Sequence, residues 1–302
     1  MKALLIYNPN SGRGQILKDL PTIEVFFGFH KIPLRLYQVK DVIDLIEEVK
    51  VHAKEVDVIL IAGGDGTVHT VMNALMQIEK EFRPKILILP YGTTNDTAYM
   101  LGITKKLKET LELVLTDSVY QMDLYKANDS YFVYAAAIGK FSKISYEINR
   151  ESLRWLGPLG YFINTLRDLF KHYKMDVRVK VDDKVIDRKT FLILMVAGKR
   201  VAGFKLDKFT NHAKLNDGYL GVRIFTRNHM FSWFKMVWFY LFKGRHFKND
   251  LHLQVKKIDF EISNEYTWNI DGEKGPCGHL SVEVVEKPIQ VYVNPKDAKT
   301  LF

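Results

Sequence analysis

A single cysteine, Cys277, stands in a chain of 302 residues, so no internal disulfide can staple the fold and a reducing setting is expected. No low-complexity tract, internal repeat or linker rich in proline or serine interrupts the sequence, which excludes collagen-like and solenoid architectures. Long hydrophobic runs are missing as well. The most apolar later stretch, residues 229–242, is broken by Lys235 and falls short of the roughly 20 residues that a spanning helix needs. The opening run, Ala3 to Tyr7, is too short for a secretory signal and no small-residue cleavage site follows it, so a cytoplasmic protein is expected.

What is present has the composition of a packed soluble protein: 47% hydrophobic and 26% charged residues. The length suits one large domain or two ordinary ones, each able to bury a core, and two is the expectation. Lys and Arg number 44 against 35 Asp and Glu, a net charge of +9 that favours anionic partners such as phosphate groups, nucleic acid or anionic lipid headgroups. The sign alone does not choose among them.

The first third alternates short apolar runs with helical spacing, the pattern of a mostly parallel sheet covered by helices. Ala3 to Tyr7, Leu34 to Gln38, Val56 to Ala62 and Lys85 to Leu89 are the expected strands. Val42, Ile43, Leu45, Ile46 and Val49, then Val68, Val71, Met72, Leu75 and Met76, recur at helical spacing. Beyond Asp123 the period changes to that of strands: Tyr131 to Ala137, Met175 to Val181, Thr190 to Ala197, Tyr219 to Phe225, Lys257 to Ser263 and Leu280 to Val285, with a hairpin turn at Asp182 to Lys184. Helical patterns over 158–173 and 229–242 interrupt this half. The expected division is an α/β domain over 1–123, onto which 291–302 packs back, and a β-rich domain over 124–290.

Val58 to Ala62 runs straight into Gly63-Gly64-Asp65-Gly66-Thr67, and helical spacing resumes at Val68. A strand, a glycine turn and a helix N-terminus in succession aim several backbone N–H groups and the positive end of a helix dipole at one point, which suits a phosphate. A tight turn of any α/β protein with Asp65 as N-cap is the plainer alternative. Asn8-Pro9-Asn10-Ser11-Gly12-Arg13-Gly14 follows the first strand in the same way, and Pro90-Tyr91-Gly92-Thr93-Thr94-Asn95-Asp96 follows the fourth. Ligands of open α/β sheets sit beyond the carboxyl ends of the strands, so three such turns should converge on one crevice. Neither the P-loop nor the G-x-G-x-x-G fingerprint occurs, which disfavours both standard nucleotide folds.

The ordered motifs Asn8-Pro9-x-Ser11-Gly12, Gly63 to Thr67, Pro90-x-Gly92-Thr93-x-Asn95-Asp96 and Asp271-Gly272-Glu273 resemble the diacylglycerol kinase catalytic-domain family in its soluble bacterial branch. The first two are shared with NAD kinases, so the last two carry the discrimination. The resemblance implies an N-terminal α/β ATP-binding domain and a C-terminal β-sandwich for the lipid substrate, with the active site in the cleft between them. It implies ATP contacts from Asn8, Ser11, Gly12, Gly64, Asp65, Gly66, Thr67 and Thr93. Asp65, Asp96 and Asp123 would hold, through waters, the Mg²⁺ that bridges the phosphates. Magnesium keeps several waters and takes few carboxylates, so sparse acids at strand ends suffice. A plain surface strand residue is the alternative at Asp123 in Met122-Asp123-Leu124. Asp271 is implied as the general base that takes the acceptor hydroxyl's proton, with Glu273 orienting its neighbours. An ordinary Asp-Gly turn is the alternative at Asp271. Lys214-Leu215-Asn216-Asp217-Gly218-Tyr219 resembles the family's structural-metal loop, with the Asp217 side chain and the Lys214 and Tyr219 carbonyls as ligands for Mg²⁺ or Ca²⁺, against an Asn-Asp-Gly turn without metal.

Two features depart from the pattern or add to it. Where the family continues with Asn-Glu after its glycine motif, this chain has His69-Thr70, which removes a carboxylate from the first helical turn. His69 either packs against the sheet or joins the chemistry. Residues 228–248 mix bulky aromatics with cations, the composition of a helix lying in a membrane interface, and 154–174 has similar character; packing on the sandwich is the alternative. Two functions follow from different classes. One is an ATP- and Mg²⁺-dependent lipid kinase of phospholipid synthesis, cytoplasmic and peripherally attached to anionic membrane, acting on diacylglycerol, with a sphingoid base, an isoprenoid alcohol or NAD as alternative acceptors. The other is a nucleotide-binding regulatory protein with weak turnover. Nucleic-acid binding explains the charge and none of the motifs. A homodimer is left open.

Overall fold

The computed structural model describes residues 1–140, 174–201, 203–210, 214–227, 234–245 and 247–302. The helical pattern over 158–173, the basic aromatic run before residue 174 and Trp233 lie outside the described residues. The chain divides into two units, Met1–Leu124 with Lys214–Gly218 and Val285–Phe302, and Tyr125–Ala213 with Tyr219–Val284. The second unit is therefore inserted into the first, and a short loop of the chain, 214–218, returns to the first from within that insertion.

The first unit runs β1 (Ala3–Tyr7), α1 (Gln15–Phe29), β2 (Leu34–Gln38), α2 (Val42–His52), β3 (Val58–Gly63), α3 (Asp65–Leu75), β4 (Lys85–Pro90), α4 (Asp96–Met100), α5 (Leu107–Glu112) and the start of β5 (Val119–Ala127). The strands are parallel in the order β2-β1-β3-β4, and Val291 adds a parallel partner to Ile86 of β4. Every residue of β3 is buried, as an uninterrupted apolar run must be when helices cover both faces of a sheet. The covering comes from Ile23 and Phe27 of α1, Leu45 and Val49 of α2, and Val71, Met72 and Leu75 of α3. Asp41 caps α2 by accepting the Asp44 N–H at 2.9 Å. Helix α1 was not among the expected elements. Its inward residues, Ile16, Ile23 and Phe27, keep helical spacing, but Pro21 and the exposed Leu17, Val25 and Phe29 blur the stripe.

The register decides what the sheet presents at its carboxyl edge. Tyr7 pairs with Ala62, and Ala62 with Leu89, so β1, β3 and β4 end level with one another. The three glycine turns thus leave adjacent strands at the same height.

The second unit is antiparallel. After β6 (Ser130–Phe132) and β7 (Ala135–Gly139) come β8 (Met175–Val181), β9 (Lys184–Val196), the small hairpin of β10 (Arg200–Val201) and β11 (Phe204–Lys205), β12 (Leu220–Thr226), α6 (Phe234–Leu241), β13 (Leu251–Val255), β14 (Lys257–Glu261), β15 (Thr267–Ile270), β16 (Glu273–Cys277) and the start of β17 (Leu280–Tyr292). The long β9 pairs with β8 over its first half, and with β7 and β12 over its second. Asp182, at φ 50°, turns the β8–β9 hairpin. Trp268 is fully buried, and its indole N–H donates to the Gly278 carbonyl at 2.8 Å. One strand expected over 131–137 is instead two, β6 and β7. The break falls at Val133 and Tyr134, whose amides donate to the Asp271 carboxylate. Among the described residues no helix is long and apolar enough to cross a membrane.

Candidate active site

In the first unit the three turns are braced against one another through backbone. Gly64 and Gly92 meet directly: a Cβ on Gly92 would stand 2.5 Å from the Gly64 Cα. A Cβ on Gly12, whose φ is 54°, would collide with the Tyr91 carbonyl oxygen. Only glycine permits both approaches. Asn8 completes the contact set, its N–H donating to Ala62 O at 2.9 Å and its side-chain amide reaching Thr67 Oγ1 at 3.5 Å. Its Oδ1 accepts the Asn10 N–H at 3.0 Å, which folds the Asn-Pro-Asn-Ser turn back on itself.

Asp65 joins the second turn to the third. Its carboxylate accepts the Thr94 hydroxyl at 2.8 Å and the amides of Asp96 and Thr97 at 3.2 and 3.0 Å. It therefore caps α4 across the gap rather than its own helix. Asn95, in the left-handed region at φ 52°, closes the third turn by exchanging two bonds with Gly92, at 2.6 and 2.9 Å. Helix α3 begins at Asp65 itself and its N-cap, Gly64, offers no side chain, so no side-chain cap covers its first amides. Ser11, Gly64, Asp65 and Gly66 are half-buried around this point and Thr93 is exposed, whereas Thr67 and Asp96 are buried. The product is a rigid shelf of backbone N–H groups at a helix N-terminus, able to hold an anion such as a phosphate chain. His69 and Thr70 are half-buried on α3; the Thr70 hydroxyl donates to the Gly66 carbonyl at 3.0 Å, and Asn73 bonds the His69 carbonyl at 2.9 Å.

Asp123 belongs to a different cluster. Its N–H donates to Leu215 O, and its two oxygens accept the amides of Gly218 at 2.7 Å and Lys287 at 2.8 Å. These bonds tie it to the 214–218 loop rather than to a glycine turn. Burial pushes its carboxyl above the ordinary range, the two amide donors offset part of that, and Asp217 and Glu286 add repulsion. Asp217 accepts the Lys214 N–H at 3.1 Å, and Glu286 lies against Gly218, where a Cβ would stand 3.0 Å from its Oε1. Among the described residues no three His, Cys, Asp or Glu side chains group closely enough to hold a metal by themselves. The set expected here needs one carboxylate and main-chain carbonyls, and oxygen donors of that kind suit a hard divalent cation. The Tyr219 carbonyl accepts the Tyr125 hydroxyl at 3.4 Å.

In the second unit Asp271 and Gly272, at φ 51° and 87°, form the two-residue turn of the β15–β16 hairpin, where Ile270 pairs with Glu273. The side chain does more than turn the chain. Its oxygens accept three successive amides, Val133 at 2.7 Å, Tyr134 at 3.0 Å and Ala135 at 3.1 Å, while its own N–H donates to Ala135 O at 2.8 Å. Asp271 is buried and Glu273 half-buried. Residues 133–135 are not marked in the sequence, since backbone amides leave no trace there; Thr94 stands at a variable position of its motif, and Thr97 and Glu286 belong to none.

Comparison with known proteins follows the same division. The model described as the diacylglycerol kinase catalytic domain matches residues 2–127, and that described as the YegS C-terminal NAD kinase beta sandwich-like domain matches residues 135–293. A protein named diacylglycerol kinase from Staphylococcus carnosus is 28% identical over 304 residues, spanning 99% of this chain and 96% of its own. One of the same name from Staphylococcus aureus is 28% identical over 288 residues, spanning 93% and 90%. A crystal structure of a diacylglycerol kinase from Bacillus anthracis superimposes with a TM-score of 0.79 at 26% identity, covering 98% of each chain. A second structure from that strain gives 0.81 at 27%, covering 98% of this chain and 96% of its own.

Two substitutions test the bracing. Gly92→Ala should cost about 1–3 kcal/mol by driving a methyl group into Gly64. Asp271→Asn cannot satisfy three amide donors with one carbonyl oxygen and should cost about 1–3 kcal/mol. Urea unfolding followed by far-ultraviolet circular dichroism measures both, and wild-type stability in either variant contradicts the contact it removes.

Proposed function

The chain belongs to the diacylglycerol kinase catalytic-domain family, and on that premise we propose that it moves the γ-phosphoryl group of ATP to the hydroxyl of a membrane lipid, with diacylglycerol as acceptor and phosphatidate as product. The observation that carries this reading is the locked set of three glycine turns at the level ends of β1, β3 and β4, at the N-terminus of α3. Such a shelf suits a phosphate chain, and nothing in it is shaped to read a base sequence.

Phosphoryl transfer leaves little covalent work to a protein; positioning and charge stabilisation dominate. Main-chain N–H groups of Gly12, Gly64, Asp65 and Gly66, with the Ser11 and Thr67 hydroxyls, take the triphosphate, with Asn8 and Thr93 at its flanks. Asp65 and Asp96 would hold the hydration shell of a Mg²⁺ that, when bound with ATP, neutralises charge on the β- and γ-phosphates. The lipid oxygen bonds to the γ-phosphorus as the bond to the β,γ-bridging oxygen breaks, ADP leaves, and the hydroxyl proton passes to the Asp271 carboxylate. The amides of 133–135 hold that carboxylate in one orientation, and Glu273 orients the turn. Asp123 then serves as the scaffold of the 214–218 loop, where Asp217 and the Lys214 and Tyr219 carbonyls would take a second, structural cation. The acceptor's setting makes the protein a peripheral visitor to the membrane. A second reading, a nucleotide-binding protein with weak turnover, is favoured by one observation: Thr70 and His69 are engaged within α3, and no carboxylate follows Asp65 in its first turns.

Labelled ATP with a panel of lipid alcohols in mixed micelles, NAD included, separates the readings: phosphatidate formation supports the kinase, and nucleotide binding without any phosphorylated product supports the second. ATP with Mg²⁺ at a hundredfold excess over Kd should stabilise the protein by about 2.7 kcal/mol, and Gly64→Val or Asp65→Ala should abolish most of this in a thermal shift measurement. Asp271→Asn, confirmed folded at the assay temperature, should keep ATP binding while turnover falls by roughly 10² to 10⁴-fold. Asp217→Ala should lower the melting temperature and remove its dependence on added Mg²⁺, leaving the ATP-induced shift in place.

A further inference from the structure

Helix α6 of the second unit turns a cation inward and its aromatic stripe outward. The Lys235 ammonium donates to the Asp250 carboxylate at 2.8 Å and to the Thr226 carbonyl at 2.9 Å, and Asp250 accepts the Thr226 N–H at 3.0 Å as well. The expectation that Lys235 belongs to an exposed basic face is thereby corrected, because a buried carboxylate needs a paired cation and Lys235 supplies it. One turn on, Phe239 is fully buried, its ring edge-on to Phe225 with centroids 5.0 Å apart. Beneath the helix lies another enclosed cation, Arg223, which donates to the carbonyls of Phe209 at 2.9 Å and Gly244 at 3.3 Å and stacks on Phe209. Burial pushes its guanidinium down to about 10, with Asp250 opposing.

The opposite face carries Phe234, Trp238, Leu241 and Phe242, spaced i, i+4, i+7 and i+8, so they form one stripe. These four are between 38% and 72% exposed, and the rings of Trp238 and Phe242 lie 3.8 Å apart. Phe204 extends the patch from the β10–β11 hairpin and is also exposed. The segment after that hairpin runs beside the end of α6, since the Lys208 N–H donates to the Lys243 carbonyl at 2.8 Å. Exposed cations rim the patch: Lys205, Lys208, Lys243, Arg245 and Lys248. Among the described residues Lys243 alone of these has an ion-pair partner, Asp207 at 3.6 Å.

We propose that this face docks onto a bilayer bearing anionic headgroups, with Phe204, Trp238, Leu241 and Phe242 entering the boundary between headgroups and acyl chains and the rim cations meeting the headgroups. Three observations choose that occupant. The stripe is too apolar to be left in water without purpose. Aromatic rings bordered by Lys and Arg match the layered chemistry of a membrane interface, apolar below and anionic above. A second copy of the chain is the poorer fit, because a two-fold contact would bring the same positive rim against itself. The inference deepens the lipid-kinase reading and rests on it for its biological sense, while vesicle binding can be measured without any turnover.

The experiment sediments the full chain with phosphatidylcholine vesicles, with and without phosphatidylglycerol. Wild type should sediment with the anionic vesicles and much less with neutral ones, and added salt should release it. Each cation near the surface contributes about fivefold in binding, so K243E/R245E/K248E should weaken it by roughly a hundredfold or more. L241S/F242S should weaken it at high and low salt alike. Both variants should remain folded at the assay temperature, checked by thermal melting, with a modest loss of stability where the Phe242 ring leaves Trp238 and Lys243 leaves Asp207. In the kinase assay both should raise the apparent KM for vesicle-borne diacylglycerol and leave turnover of a short-chain, water-soluble diacylglycerol unchanged. Failure of wild type to bind anionic vesicles, variants that sediment like wild type, or a change of oligomeric state in L241S/F242S with vesicle binding intact would each overturn the docking face. Vesicle binding with no phosphorylation of either lipid would leave the docking face standing and remove the kinase.

Discussion

The first unit is organised around a close approach of main chain to main chain, Gly64 against Gly92, where a Cβ on Gly92 would stand 2.5 Å from the Gly64 Cα. The contact is possible because β3 and β4 end level, Ala62 pairing with Leu89 and Gly63 with Pro90. Once the two turns meet, Asp65 of one can cap the helix that starts in the other, and the first turn can close against Tyr91. The anion shelf is therefore a property of the sheet as much as of its loops. It is built from backbone contacts within the unit, which suits the phosphate-holding role proposed for it.

The acidic side chains that a motif search selects share an unexpected trait. Asp65, Asp123 and Asp271 each accept two or three bonds from the backbone of a distant segment. A carboxylate so held has one fixed orientation, and its removal leaves buried amides unpaired. The chemical duties proposed for Asp65 and Asp271 would thus share a residue with a structural one, and a loss of activity on substituting either acquires its meaning only beside a measurement of folding.

How far the sequence speaks follows from where the information resides. Strand runs such as Ala3 to Tyr7 and Met175 to Val181 are legible because burial enforces their pattern locally, and the Gly-Gly-Asp-Gly turn is legible because a buried strand, adjacent glycines and a helix start follow one another within a few residues. The hydrogen bonds of Asp123 are not legible: they reach Gly218 and Lys287, more than ninety residues away, and backbone amides have no letter of their own. The split of the expected strand 131–137 is hidden for the same reason, since its cause is Asp271. The stripe of α6 leaves a membrane interface and packing on the sandwich both open until the inward partner of Lys235 is seen.

The return of residues 285–302 to the first unit has a consequence for how the chain is made. Synthesis runs from the N-terminus, so β1 to β4 emerge early, yet the parallel partner that Val291 gives β4 arrives only after the whole inserted unit has been translated. Until then β4 has an open edge, a surface prone to pairing with the wrong strand. The inserted unit, whose own pairings are complete by residue 284, can fold while the first waits for its closing segment. A nascent chain stalled short of residue 285 would carry β4 without that neighbour.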